Sequence, residues 1–425
     1  MVKGILAHIE NLMGGAKMEL LELTRKLIGY NTSPGQSNLE IVDFIANYCE
    51  DLDFKVQRFP YRGDKRVNQS NLVVTVGGEE PVLALSGHTD TVSFETAKWA
   101  SDPLKLTYAN GKYFARGVAD MKLFLAAALK AAEAIPLSDL KRPFALYFTA
   151  EEEIGCLGAK ALTGFSRKSQ MPKEKLAKSI VVGEPTMMEP VSKHKGYYYF
   201  RVIIKSTIDE HAKHVAEKKL HSSDDTKATN VVALVLPRVT LALEDFRKSF
   251  RRFQDDKFEL AHPTMNIGGN IIMPPGSMKN IIPTEVRLDC DLRFIPGMPP
   301  VDFLRDLMQR KLTQVIDKIK PVNPSEKFSA QVVAMRLFTP AMDTPDGSEV
   351  VRNAIRATRR NFAKGVSYNT EGGVYNAAGA ESIILGPGSI NQAHQPNEFV
   401  GERWLTNESI DPYIELIRLF CCKEG

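Results

Sequence analysis

The chain has 425 residues, 43% hydrophobic and 25% charged, which is typical of a soluble globular protein with two domains. Its formal charge of +4, from 55 basic and 51 acidic residues, gives no reason to expect a nucleic acid or an anionic membrane as partner. The five cysteines contain no CxxC pair, which argues against a disulfide framework and a cysteine zinc site. No apolar stretch is unbroken enough for a secretory signal or a membrane span, so we expect a cytoplasmic protein.

The first predicted elements are two helices. Apolar residues recur at helical spacing at Leu20, Leu23 and Leu27, and again at Ile41 and Ile45. The turn sequence NTSPGQS separates the two runs and predicts a break between the helices.

Short apolar runs alternating with helix-like segments follow, and each run ends near residues that can bind a metal. Val82–Leu85 leads to His88 and Asp90, Phe144–Phe148 to Glu151–Glu153, Ile180–Val182 to Glu184, and Ile383–Leu385 to His394. The segment MKLFLAAALKAAEAI, directly after Asp120, is predicted to be a helix. Strands that alternate with helices predict an α/β domain with a mostly parallel central sheet.

The middle of the chain has a different pattern. A strand at 197–205 is followed by a helix in TNVVALVLPRVTLALEDF, the strands MNIGGNII and VRLDCDLRF, the helix VDFLRDLMQRKLTQVIDKI and the strand AQVVAMRLF. This β-α-β-β-α-β order is that of the ferredoxin-like motif. We therefore predict an α+β domain at 196–337, inserted into a larger domain formed by 1–195 and 338–425.

The residues at the strand ends are expected to converge, because ligands of open α/β sheets bind beyond the carboxyl ends of the strands. Mixed imidazole and carboxylate ligands suit zinc or a similar ion, whereas an all-oxygen set would indicate magnesium or calcium. Each residue alone has an ordinary explanation: a strand-end histidine such as His88 is usually structural, and three consecutive glutamates usually form a solvated loop. Five such termini would rarely imitate a ligand set together, so the sequence favours a metal centre.

Five motifs, SGHTDTV, ARGVADMK, TAEEEIG, VGEPT and GPGSINQAHQPNEF, resemble in this order those of the M20 family of co-catalytic zinc hydrolases. The resemblance implies two divalent metal ions, most simply Zn²⁺, for which Co²⁺ can substitute. It implies that His88 and Glu184 bind one ion, that Glu153 and His394 bind the other, and that Asp120 bridges the two. It also implies that Asp90 orients the imidazole of His88 and that Glu152 is the general base.

The inserted domain carries further candidates. LHSSDDTKATN resembles the family motif GHSSxPxxGxN, which implies that His221 reaches the active site of a partner subunit in a homodimer. The same motif implies that Asn230 is a substrate-binding residue. Arg293, in the sequence DLR, resembles a lid arginine that binds the substrate carboxylate, a bidentate task that suits guanidinium. The alternatives are that His221 is a surface residue and that Arg293 makes an ordinary salt bridge. Asp225 and Ala228 replace the Pro and Gly of the motif, which leaves the shape of this loop open.

Two segments suggest a substrate. GPGSINQAHQPNEF and the HKG at 194–196 are similar to those of M20 members that deacetylate N2-acetyl-L-ornithine to L-ornithine and acetate, a step of arginine biosynthesis. Glu371 is the candidate acceptor for the ornithine ammonium group, although it could instead cap a helix or face solvent. The alternative functions are another N-acyl-amino-acid deacylase, a desuccinylase, a dipeptidase, or a non-catalytic binding protein on the same scaffold. All of them imply a small-molecule partner.

Overall fold

The structure, a computed structural model, describes residues 18–165, 169–208, 228–274, 277, 279–280 and 282–422. It divides into two compact units. The first unit takes in the described residues up to Val191, together with Thr344–Ala363 and those from Ala378 onward. The second takes in the described residues of Ser192–Asp343 together with Lys364–Ala377.

The helices are α1 (Leu20–Ile28), α2 (Leu39–Glu50), α3 (Leu123–Glu133), α4 (Leu157–Thr163), α5 (Val231–Leu234), α6 (Leu236–Ser249), α7 (Val301–Ile316), α8 (Glu349–Thr358), α9 (Gly372–Ala377) and α10 (Asp411–Ile417). The strands are β1 (Lys55–Arg62), β2 (Asn68–Val76), β3 (Leu83–His88), β4 (Thr107–Ala109), β5 (Lys112–Phe114), β6 (Phe144–Thr149), β7 (Ser179–Val182), β8 (Val191–His194), β9 (Gly196–Ile208), β10 (Thr264–Ile272), β11 (Glu285–Phe294), β12 (Glu326–Thr339), β13 (Met342–Asp343), β14 (Lys364–Val366), β15 (Glu381–Ile384) and β16 (Phe399–Gly401). Among the described helices, none combines the length and apolar character that crossing a bilayer requires.

The first unit is built on a mixed sheet that contains the order β1-β2-β6-β3-β7-β15. Strands β6, β3, β7 and β15 pair in parallel, whereas β1 and β2 pair antiparallel with their neighbours. The predicted α/β class is confirmed, with the parallel pairing confined to the centre of the sheet. Because parallel neighbours end at the same edge, the residues that follow β3, β6, β7 and β15 emerge together there.

Helix α3 packs closely against two of these strand ends. A Cβ atom on Gly87 would lie 2.7 Å from the ring of Phe124, and one on Gly183 would lie 2.0 Å from it, so any larger side chain would collide. These close approaches hold the beginning of α3 against the ends of β3 and β7. Asp120, three residues before α3, is thereby brought to the same edge of the sheet.

Helices α1 and α2 confirm the predicted spacing. Leu20, Leu23 and Leu27 are buried on α1, and Ile41 and Ile45 are buried on α2. All five belong to the main apolar core of the first unit.

The second unit contains an antiparallel sheet in the order β10-β11-β9-β12. Helix α6 lies between β9 and β10 in the chain, and α7 lies between β11 and β12, which is the predicted β-α-β-β-α-β order. Alternate residues of β11 are buried, as expected for a sheet with one face covered. The buried face packs with α6 and α7 into a core of its own.

The predicted insert at 196–337 lies within the second unit, but that unit also takes in 364–377, which the sequence analysis assigned to the larger domain. The reason is strand pairing: β14 pairs with β8, and Gly365 makes an isolated bridge to Phe258. The exact domain boundaries stay a prediction.

Candidate metal centre

The residues expected to bind metal all belong to the first unit and form two overlapping groups. The groups are His88, Asp120 and Glu184, and Asp120, Glu153 and His394; within each, one donor atom per residue lies within 4.8 Å of the others. His88 is the last residue of β3, Glu184 follows β7 by two residues, and Glu153 follows β6 by four.

In the first group, Nε2 of His88 lies 3.0 Å from Oδ1 of Asp120 and 3.7 Å from Oε1 of Glu184. All three residues are buried. In the second group, Nε2 of His394 lies 2.9 Å from Oε2 of Glu153 and 3.4 Å from Oδ2 of Asp120. Asp120 therefore turns one carboxylate oxygen toward each group.

His394 differs from the other donors. Its side chain is 54% exposed, whereas that of His88 is fully buried. It has a φ of 65° and lies in the loop that precedes β16, not at a strand end. Its position therefore depends on how that loop is anchored.

Asp90 lies beside both His88 and the turn that carries the two glutamates. The carboxylate of Asp90 accepts hydrogen bonds from the backbone N–H groups of Glu152 and Glu153, each at 3.1 Å. The Nδ1 atom of His88 lies 2.9 Å from the backbone carbonyl of Asp90, and 3.6 Å from its carboxylate. The carbonyl oxygen of Asp90 is therefore nearer to the His88 ring than its carboxylate is, and the carboxylate binds the turn that carries the two glutamates. That Asp90 orients the imidazole stays a prediction.

That turn explains how adjacent glutamates can face different ways. Glu151 has a φ of 57°, which reverses the chain after β6 and presents the next two N–H groups to Asp90. Glu153 then reaches His394, while Oε1 of Glu152 accepts a hydrogen bond from the thiol of Cys156 at 3.3 Å.

The protonation equilibria of the centre are strongly displaced. Burial raises the pKa of Glu152 to about 8, although His88 opposes the shift. Burial and the charge of Asp120 raise the pKa of Glu184 well above its usual range. Burial opposes a proton on His88, but hydrogen bonding to Asp120 and the surrounding carboxylates raise its pKa well above the usual value. Buried carboxylates at this density need cations beside them, and displaced pKa values of this kind cluster at functional sites.

The predicted substrate-binding residues lie in the second unit and have local partners. Asn230 caps α5, with its Oδ1 accepting from the N–H groups of Val232 and Ala233 at 3.0 and 3.1 Å. Arg293 donates from Nη1 to Oδ1 of Asn369 at 2.6 Å, and its guanidinium lies 4.4 Å from the ring centroid of Tyr197.

Glu371 is fully buried, and its backbone carbonyl accepts from the N–H groups of Val374 and Tyr375 at the start of α9. It does not face solvent, so that alternative is wrong. His221 lies outside the described residues.

Two buried charged residues near the centre were not predicted. Glu398 is fully buried and accepts hydrogen bonds around Asp120, and burial raises its pKa to about 7 despite the nearby Arg116. Lys122 is 1% exposed and donates to the carbonyl of Tyr30 at 2.6 Å, and burial lowers its pKa to about 7. Lys122 is the last residue of the motif ARGVADMK, and Glu398 lies in GPGSINQAHQPNEF. The motifs therefore contained both residues, but nothing in the sequence indicated their roles.

An α/β unit whose parallel strands deliver histidine and carboxylate donors to one edge has the architecture of a metal-dependent hydrolase. Residues 84–417 match the model of peptidase family M20/M25/M40. An acetylornithine deacetylase of Pasteurella multocida (strain Pm70) is 31% identical over 385 residues, which cover 90% of each chain. The chain therefore belongs to the M20 peptidase family and is a hydrolase.

Solved structures agree with this fold. A tripeptidase from Staphylococcus aureus superposes with a TM-score of 0.68 at 20% identity, covering 95% of this chain and 98% of the tripeptidase. A dinuclear metal-binding peptidase of the M20 family from Bacillus subtilis superposes with a TM-score of 0.60 at 14% identity, covering 94% and 97% of the two chains.

Proposed function

We propose that the chain is a two-metal amidohydrolase that converts N2-acetyl-L-ornithine and water to L-ornithine and acetate, a step toward arginine. The observation that carries the proposal is the pair of donor groups that share Asp120, with the partly buried carboxylate of Glu152 within the electrostatic reach of His88, Glu153 and Asp120. The substrate is supported by the relative named acetylornithine deacetylase, which matches over nine-tenths of both chains.

The donor set fits two divalent ions such as Zn²⁺. Around a tetrahedral zinc ion with bonds of about 2.0–2.2 Å, donor atoms lie roughly 3.3–3.6 Å apart. The four donor separations quoted above run from 2.9 to 3.7 Å and bracket that range. His88 and Glu184 would hold one ion, Glu153 and His394 the other, and Asp120 both. The similar structure from Bacillus subtilis is that of a dinuclear metal-binding peptidase, which supports two ions per chain here as well.

When bound, the ions would supply Lewis acidity that polarises the acetyl carbonyl and acidifies water. Glu152 takes a proton from the attacking water as the new C–O bond forms at the carbonyl carbon. It returns that proton to the amide nitrogen as the C–N bond breaks, which releases acetic acid and the α-amine, ionised at neutral pH to acetate and ammonium. Burial and the neighbouring carboxylates raise the pKa of Glu152 to about 8 against the opposing charge of His88. The positive charge of bound ions would favour the carboxylate form, so that Glu152 can act as a base near neutral pH.

Substrate recognition is assigned to the second unit. Arg293 is the proposed partner of the substrate α-carboxylate, since its guanidinium is held in place by Asn369 and Tyr197. Asn230 is proposed to contact the substrate through its amide nitrogen, because its oxygen is used by the helix cap. Glu371, a fully buried carboxylate, is the proposed acceptor of the ornithine ammonium group.

A panel of substrates tests this function. The zinc-loaded chain is assayed with N2-acetyl-L-ornithine, N-acetyl-L-methionine, an N-succinyl amino acid and a dipeptide, with release of free amine as the readout. The highest kcat/KM is expected for N2-acetyl-L-ornithine. A higher value for the succinyl substrate or the dipeptide would reassign the chain to those activities, and no turnover of any of them would support a non-catalytic binding protein.

The proposed dimer has a separate test. Subunits carrying His221→Ala are mixed with subunits carrying Glu152→Gln, each inactive alone. If His221 acts across the subunit interface, mixed dimers regain activity, because one of their two sites has both an intact base and an intact partner histidine. No recovery after demonstrated subunit exchange would remove the trans role of His221.

A further inference from the structure

Glu398 connects the loop that carries His394 to the loop that carries Asp120. It stands four residues after His394 and immediately before β16. Strand β16 pairs antiparallel with β5, with Phe399 opposite Phe114. The backbone carbonyl of Glu398 also accepts from the N–H of Ala115 at 3.1 Å. This register sets Glu398 beside the segment that leads from β5 to Asp120.

The Glu398 carboxylate uses both oxygens on that segment. Oε2 accepts from Nη1 of Arg116 at 2.6 Å and from the N–H of Gly117 at 3.0 Å. Oε1 accepts from the N–H of Ala119 at 2.8 Å and from the N–H of Asp120 at 3.1 Å. A fully buried carboxylate with this many donors has little freedom to move.

The backbone of this segment is shaped to present those N–H groups. Gly117 has a φ of 80°, a conformation that residues with a Cβ rarely adopt. A Cβ there would also lie 2.7 Å from Cγ2 of Thr91. The segment therefore wraps around the carboxylate of Glu398 and turns three backbone N–H groups toward it.

The two donor groups depend on this anchor to different extents. His88 and Glu184 are positioned by β3 and β7, whereas His394 is half-exposed and lies in a loop. Asp120 and His394 both belong to the second group, which has only Glu153 as an independently placed member. Loosening the two loops would remove two of the three donors of the second group and only one of the first.

We propose that Glu398 is a positioning residue that holds Asp120 and His394 in register, so that the ion of the Asp120, Glu153 and His394 group is retained. The proposal rests on the two-metal function proposed above and adds a residue that binds neither metal nor substrate. Removing such hydrogen-bond support for metal ligands typically weakens metal binding by roughly 10–100-fold.

The test uses Glu398→Gln, which keeps the size of the side chain but places an amide N–H₂ against backbone N–H donors. Wild type and variant are loaded with zinc, dialysed against buffer, and analysed for zinc per chain by mass spectrometry. Wild type is expected to retain two ions and the variant one, with the dissociation constant of the lost ion raised roughly 10–100-fold. The variant's kcat should fall while KM changes little, and excess zinc should restore kcat.

Glu133→Gln is the matched control. Glu133 is a nearly buried carboxylate of the same unit, bound to Lys130 at 2.6 Å and to the Tyr48 hydroxyl at 2.7 Å. The Glu133→Gln variant should unfold at a lower temperature but retain both ions, since Glu133 is bound to none of the metal-donor residues. If Glu398→Gln fails to fold, Glu398→Asp serves in its place, because it keeps the charge for Arg116 but is one methylene too short to reach all four donors.

Selective loss of one ion supports the proposal. Retention of both ions at wild-type affinity, or loss of both together, overturns it. Zinc retention is read without substrate, so a wild-type chain that binds two ions but hydrolyses none of the substrates contradicts the proposed function and leaves the result for Glu398 valid.

Discussion

The candidate residues of the two units are held in different ways. In the first unit, His88, Glu153 and Glu184 come from the ends of three parallel strands and meet other donor side chains. In the second unit, Asn230 and Arg293 are each bound to local partners, a helix end and an asparagine. Local partners can explain a residue by structure alone. Structure alone does not explain why several charged side chains from distant segments are buried together. A functional role in the second unit must therefore be tested with variants that keep the local structure.

The largest effect is expected from a substitution that removes the general base of the first unit and leaves its structure intact. Glu152→Gln should lower kcat by roughly 10²–10⁴-fold, since the amide cannot take a proton from water. Zinc content should stay at the wild-type level, because Glu152 belongs to neither donor group. The neighbouring variant Glu153→Gln should instead lose zinc. The reverse pattern would mean that the roles of the two glutamates are exchanged.

His194, in the HKG sequence of the second unit, allows a prediction about stability. Burial lowers its pKa to about 4, so the folded chain resists a proton that the unfolded chain accepts near pH 6.5. The stability that follows is complete above pH 6.5 and is lost as the pH falls toward 4. Wild type should therefore lose about 3 kcal/mol more of its free energy of unfolding over that interval than His194→Gln does.

Urea unfolding at pH 7 and pH 4 measures this difference. The comparison between wild type and variant removes the contribution of the carboxylates, which titrate in both. Equal losses of stability in the two proteins would mean that the pKa of His194 in the folded chain is not lowered, so that the folded chain takes up the proton as readily as the unfolded chain.

Glu371 is the second-unit residue for which selectivity is the decisive readout. Glu371→Gln should lower kcat/KM for N2-acetyl-L-ornithine by about 2 kcal/mol, or roughly 30-fold, because the ammonium group loses its charged partner. The value for N-acetyl-L-methionine, which has no ammonium group, should stay near that of wild type. Equal losses on both substrates would leave Glu371 a structural residue of the turn before α9.

Asn230 should give the smallest effect. Asn230→Ala removes the cap of α5 and should lower the free energy of unfolding by about 1 kcal/mol. Asn230→Asp keeps an oxygen for the N–H groups of Val232 and Ala233, so its stability should match wild type. If the amide nitrogen contacts substrate, the aspartate variant alone reveals it, as a raised KM in a fully stable protein. Unchanged kinetics in Asn230→Asp would limit the residue to capping.

The sequence predicted the edge with the candidate metal ligands because short continuous apolar runs indicate buried strands, and parallel strands end together. His88 and Glu184 were located from the runs that precede them, and both lie at that edge. The same patterns identified the ferredoxin-like order of the second unit. Residue types alone did not indicate which oxygen of Asp90 would contact His88, since both the carbonyl and the carboxylate are within reach of a strand-end turn.

Other features depend on pairing between distant segments. Glu398 is brought to its partners by the pairing of β16 with β5, two short strands that lie far apart in the chain. The segment 364–377 joins the second unit because β14 pairs with β8. Neither pairing leaves a periodic signal in so few residues, so neither could be predicted from one sequence.

Removal and return of the metal ions tests the dependence of hydrolysis on metal most directly. The zinc-loaded chain is stripped with a strong chelator, its metal content is verified by mass spectrometry, and release of ornithine from N2-acetyl-L-ornithine is assayed during stepwise return of zinc or cobalt. We expect no turnover in the metal-free chain and recovery that reaches its maximum at two ions per chain. Full turnover in the verified metal-free chain would contradict the account.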